Sequence, residues 1–171
     1  YKDYAEQNHF PGLVYGIVVD GKLVHAGGVG YTELTNKAEA SSRSEFRIAS
    51  MSKSFTAMAI LKLRDEGKLR LDDPISFYIP EAKNMKRLTK DAPPLTIRNL
   101  LTHTAGYPED NPWGDRQLAN TDAQLVALYK KGISFSNDPG IGYEYSNLGF
   151  ATLGYIIKKV TGESNKKYIT D

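Results

Sequence analysis

The chain contains no cysteine, only three methionines and a single tryptophan in 171 residues. Without cysteine, disulfides, thiolate metal sites and cysteine nucleophiles are all excluded. That absence assigns no compartment, because many exported bacterial proteins also lack cysteine. No apolar run approaches the roughly 20 residues that span a bilayer. The opening "YKDYAEQNHFPG" lacks the charged-then-apolar layout of a signal peptide and reads as a helix end followed by a Pro-Gly turn. The chain is therefore expected to begin inside a domain, with any targeting segment outside it. Charge of one sign is not massed either. The net charge is +2 and the pI is near 8.6, which argues against nucleic acid as a partner. Lys158-Lys159 and Lys166-Lys167 read as solvated faces. His9, His25 and His103 are scattered without Glu-x-x-His spacing, so no metal ligand set is expected.

The hydrophobic fraction of 40% and charged fraction of 25% are those of a globular domain. Residues 12–20, "GLVYGIVVD", form a β-rich run ending at Asp20-Gly21, a strong hairpin signal, and "KLVHAGGVGYTE" supplies the return strand. Gly27, Gly28 and Gly30 lack dinucleotide-fold or P-loop spacing, so a bulged or closely packed strand is the better reading. A helix is expected over 50–66, apolar on nearly every side between 57 and 61 and hence central, with Gly67 at its C-terminus. After the Pro-interrupted "LRLDDPISFYIPE", Thr96 caps a short helix in "LTIRNLLTHTAG" that Gly106 terminates. A polar loop, 107–117, holds Trp113. The segments "TDAQLVALYKKG" and "YSNLGFATLGYIIKKVTG" read as two further helices, the second ending at Gly162. Two strands followed by helices indicate an α+β or α/β domain with a helical lobe. The expected division is 1–70, hairpin and nucleophile helix, against 71–171, the lobe.

The chemistry sits in "FRIASMSKSFTAMAILKL". Positions i and i+3 share one helix face, so Ser50 in the first turn meets Lys53 one turn on. Amides at that helix end are unpaired and favour negative charge. Burial biases the lysine towards its neutral form. A nucleophilic serine needs that combination. The bland alternative is that Ser50 only caps the helix. Ser52 competes for the nucleophile's role but has no lysine three residues later. A second element, "YEYSNLGF", sets Tyr145, Ser146 and Asn147 before another helix. A phenol has a pKa of about 10, which a nearby lysine would lower. Tyr145 close to Lys53 can then serve as general base, with the Asn147 amide holding a substrate carbonyl or fixing Lys53. With eleven tyrosines in the chain, a Tyr-x-Asn alone would carry little weight. A Ser-His triad through His103 is a weaker reading, since no Gly-x-Ser-x-Gly elbow is present. His9 and His25 read as structural.

Together "FRIASMSK", "LTIRNLLTHTAG", "PGIGYEYSNLGFATLGYII" and "VTGES" resemble the serine β-lactamase and penicillin-binding-protein superfamily, nearest its class C β-lactamase, D-aminopeptidase and esterase branch. The resemblance runs along the whole chain in the family's order. It implies an antiparallel sheet flanked by helices, with Ser50 as acylated nucleophile, Lys53 as its partner, Tyr145 as base and Asn147 as substrate-binding amide. It further implies a covalent acyl-enzyme without cofactor, a small-molecule or peptide substrate (β-lactam, D-amino peptide or carboxylic ester), and a place outside the cytoplasm. The alternative is a non-hydrolytic penicillin-binding or peptidoglycan-binding protein of the same fold. The third family motif, Lys/His-Thr/Ser-Gly on a later strand, is missing from these residues, which match a first half. Residues 1–171 alone are thus not expected to be a complete working enzyme, and a further stretch of chain, a second chain or a swapped copy would complete the sheet.

Overall fold

In the computed structural model, which describes residues 1–110 and 120–171, the chain divides into two compact units, Tyr1–Ile48 and Ala49–Asp171. The first unit opens with helix α1, Lys2–Gln7, and continues into a three-stranded antiparallel sheet of order β1-β2-β3. β1 is Gly12–Val19, β2 Lys22–Glu33 and β3 Ala38–Glu39. The β1–β2 turn matches the sequence reading: Asp20 and Gly21 both take positive φ, 48° and 75°, the two-residue geometry whose twist suits a hairpin. The ladder runs from Gly12↔Gly30 to Val19↔Lys22, with a register shift between Ile17 and Val18. Close packing explains the glycines of β2. A Cβ on Gly28 would strike the Ala40 carbonyl, and one on Gly27 would strike the Tyr15 ring. β3 is an addition to the two strands expected, being too short to show any alternation in sequence.

The second unit is helical and has its own core. A 3-10 turn, Ala49–Met51, leads into α2, Ser52–Asp65. Two 3-10 turns, Ile75–Phe77 and Pro80–Asn84, follow where prolines interrupt the chain. α3 is Ile97–Leu101, α4 Asp122–Lys131, α5 Asn147–Thr161 and α6 Asn165–Thr170. Thr96 and Thr121 each form a reciprocal capping box, with Asn99 and Gln124. α3 ends earlier than expected. Thr102 is its C-cap and His103, at φ 56°, turns the chain in place of Gly106. The core gathers Ile60 and Leu63 of α2, Ile75, Ile79, Ile97 and Leu100, with Leu153, Ile156 and Ile157 of α5. Within it the Tyr107 and Tyr129 hydroxyls lie 3.0 Å apart and Tyr129 reaches Thr152 Oγ1 at 2.6 Å. Thr152 donates onward to the Leu148 carbonyl at 2.8 Å, so the proton direction runs Tyr107, Tyr129, Thr152. Burial pushes the Tyr129 phenol up to about 12 and Tyr107 well above the ordinary range, so both keep their protons.

α2 departs from the all-round burial expected of it. Thr56, Ala59, Ile60 and Leu63 are buried, but Met51, Phe55 and Met58 are 66%, 47% and 65% exposed. The helix therefore has one apolar face in the core of its unit and a second apolar stripe in solvent. Among the described residues no helix is long and apolar enough to cross a membrane.

Candidate active site

Every side chain assigned a role from the sequence lies in the second unit, and the structure brings four of them together. Ser50 sits in the 3-10 turn that precedes α2, one step earlier than a regular first turn. A 3-10 turn holds three residues, so side chains three apart stack in line. Lys53, in the first turn of α2, donates from Nζ to Ser50 Oγ at 3.3 Å. Ala49, just before the serine, is held at φ 44°. Left-handed backbone costs an alanine about 1–2 kcal/mol, and no sequence signal announces it.

Tyr145 and Asn147 arrive from the other end of the unit, on either side of Ser146, the N-cap of α5. The Tyr145 hydroxyl donates to Ser50 Oγ at 2.6 Å. The Asn147 side-chain oxygen accepts from Lys53 Nζ at 2.6 Å. Lys53 Nζ also lies 4.7 Å from the centre of the Tyr145 ring and 5.7 Å from that of Phe150. Lys53 thus has the serine, the asparagine and two aromatic faces around it. It is half-buried rather than stripped of water. Of the two tasks considered for Asn147, the one visible is fixing Lys53.

The serine oxygen is the acceptor of both bonds, from lysine and from tyrosine. Both groups are within reach of the serine's proton, which passes to whichever of them is unprotonated. The helix end beside it is open: α2 has no side-chain cap and no acidic residue in its first turn. The positive end of the helix dipole favours the negative charge that develops on attack at a carbonyl.

His103 is not bonded to Ser50. Its Nδ1 accepts the Ser146 N–H at 3.0 Å, and its ring stacks on Tyr145 with centroids 4.6 Å apart and planes at 29°. Burial, with Lys53 adding to it and Asp110 opposing, holds its pKa below the ordinary histidine value. That is the neutral ring an Nδ1 acceptor requires. Ser52, the rival nucleophile, opens α2 and has no part in these contacts. Trp113 lies outside the described residues. Sequence reasoning missed Asp110, whose carboxylate accepts from Ser146 Oγ at 3.0 Å, Asn147 N at 2.6 Å and Leu148 N at 2.7 Å.

Protein flp of Staphylococcus aureus is 37% identical over 168 residues, covering 97% of this chain and 33% of its own length. An octameric penicillin-binding protein homologue from Pyrococcus abyssi superposes with a TM-score of 0.78 at 31% identity, over 98% of this chain and 39% of that one. A class C β-lactamase superposes with the same score, 0.78, at 26% identity, over 96% of this chain and 43% of its own. The chain thus spans about a third of the curated relative and some two-fifths of each solved neighbour. The family description "Beta-lactamase" matches residues 1–171. That match, running over the whole of the given sequence, places this chain in the β-lactamase family.

Proposed function

We propose that the protein is a serine hydrolase that forms an acyl-enzyme on Ser50, with β-lactams, D-amino peptides or carboxylic esters as its substrate class. The observation that carries this reading is the double contact on Ser50 Oγ, from Lys53 Nζ at 3.3 Å and the Tyr145 hydroxyl at 2.6 Å. Whichever of the two is unprotonated takes the Ser50 proton as Oγ attacks the carbonyl carbon. The proton then passes to the departing nitrogen or oxygen as the C–N or C–O bond breaks. In the second half, water replaces the leaving group, the same pair takes its proton, and Ser50 recovers that proton as the ester is cleaved. Asn147 keeps Lys53 against both partners throughout.

The test uses the full-length protein with a fluorescent penicillin and a chromogenic ester. Mass spectrometry of the peptide covering residues 47–62 reads the site of acylation. An adduct on Ser50 followed by turnover supports the hydrolase. An adduct that persists without turnover supports the second reading, a penicillin-binding protein of this fold, which the name of the Pyrococcus abyssi neighbour favours. An adduct on Ser52 or Ser54 overturns both assignments of the nucleophile.

A further inference from the structure

We propose that Asp110 is a positioning residue for acyl transfer, acting through Asn147 and Lys53; the inference rests on the function proposed above and adds to it a group that no motif contains. The first four amides of a helix have no partner inside it. At α5 all four are taken. Ser146 N donates to His103 Nδ1 at 3.0 Å, Asn147 N to Asp110 Oδ1 at 2.6 Å, Leu148 N to Asp110 Oδ2 at 2.7 Å, and Gly149 N to Ser146 Oγ at 3.0 Å. The hydroxyl of Ser146, itself buried, donates to Asp110 Oδ2 at 3.0 Å. One carboxylate thus receives three donors, two of them amides at the positive end of a helix.

The consequence reaches the nucleophile in two steps. Asp110 also faces the Asn147 side chain, whose Nδ2 points at the Asp110 carbonyl at 3.5 Å, so that Oδ1 is turned to Lys53 at 2.6 Å. An amide side chain reads the same in outline both ways round, and this environment selects one orientation. Lys53 in turn donates to Ser50. The carboxylate grips the main chain of Asn147, whose side-chain amide leads on to Lys53 and the serine, with Tyr145 carried on the same segment. Neutralising the α5 terminus has a second effect. Of the two helix ends at the site, the one without a side-chain cap is that of α2, beside Ser50, and not that of α5.

A cap that only stabilised α5 would lower the fraction of folded protein and leave each folded site as fast as before. A positioning residue changes the rate per site. The experiment therefore measures, in the full-length protein, the acylation rate constant per labelled site with a fluorescent penicillin and a chromogenic ester, alongside Tm. Asp110→Ala is expected to slow acylation per site by about 10- to 100-fold, the loss that a displacement near 1 Å produces, with substrate Kd little changed. Asp110→Asn, which keeps one acceptor oxygen, is expected to recover part of the rate. In an Asn147→Ala background the further loss on Asp110→Ala should shrink to a few-fold, because the route through the amide is already cut. Unchanged rates per site in both single variants, or losses that simply add, overturn the proposal. If the wild-type protein takes no acyl group at Ser50, the proposed function fails by itself. The positioning claim is then decided by a crystal structure of Asp110→Ala, where a Lys53–Asn147 contact still at 2.6 Å overturns it and a broken or turned amide supports it.

Discussion

Replacing Tyr145 by phenylalanine removes one oxygen from the site and little else. The ring keeps its stacking on His103, with centroids 4.6 Å apart, and its place 4.7 Å from Lys53 Nζ. What disappears is the 2.6 Å hydrogen bond to Ser50. If that bond did no more than hold the serine, its loss would cost about 0.5–1.5 kcal/mol, roughly 2- to 13-fold in rate. If the phenol moves the serine's proton, the loss is that of an acid–base catalyst, about 10²–10⁴-fold or about 2.7–5.4 kcal/mol. The two ranges do not overlap. We expect the larger. Stopped-flow acylation by a fluorescent penicillin, with an ester as a second acyl donor, measures it on the full-length protein, and Tm confirms that the fold is intact. A slowdown smaller than about tenfold would refute the role given to Tyr145 and leave Lys53 as the sole base.

Ser50→Ala is expected to abolish covalent labelling and Ser52→Ala to preserve it, read by intact-protein mass; label retained in Ser50→Ala would refute the assignment. For His103 the folded pKa lies below the ordinary value of 6.5, so the unfolded chain binds more protons between the two. Stability is then fully present above about pH 6.5 and falls as pH drops through the lowered value. His103→Asn, which tolerates the left-handed backbone and does not titrate, should flatten Tm against pH in that window, and an unaltered slope would sink the idea. Tyr129→Phe strands the buried Tyr107 hydroxyl, which loses the acceptor 3.0 Å away, at a cost of about 1–3 kcal/mol. Calorimetry should show a lower Tm, and an unchanged Tm would show that Tyr107 finds another acceptor.

Local chemistry explains what could be read beforehand. Asp20-Gly21 marked the hairpin because few residue pairs accept positive φ twice in succession. Ser50 and Lys53 were legible because helical spacing alone puts them together. Thr96 announced a helix start through its side-chain oxygen. Tyr145 and Asn147 needed the resemblance, since nothing local joins them to a serine 95 positions earlier. Asp110 stayed hidden for the same reason: it lies in a polar stretch 36 to 38 positions before the amides it binds, and no spacing rule connects an acidic loop residue to a distant helix end. That α2 is apolar on nearly every side was legible; which of its faces is covered within the same unit was not, because periodicity reports that a face is apolar and not what packs on it.

The left-handed Ala49 restricts which sequences can keep this site. A side chain branched at Cβ fits that backbone worst, so valine, isoleucine or threonine at position 49 would push the turn away from φ 44° and drag Ser50 with it. Glycine or asparagine would accept the turn readily, and glycine would release the strain while giving the unfolded chain more freedom. The position therefore discriminates by shape rather than by polarity. Among β-lactamase-family chains of uncertain activity, a branched residue just before the serine would mark those in which the nucleophile has lost its place, even with the lysine and tyrosine intact.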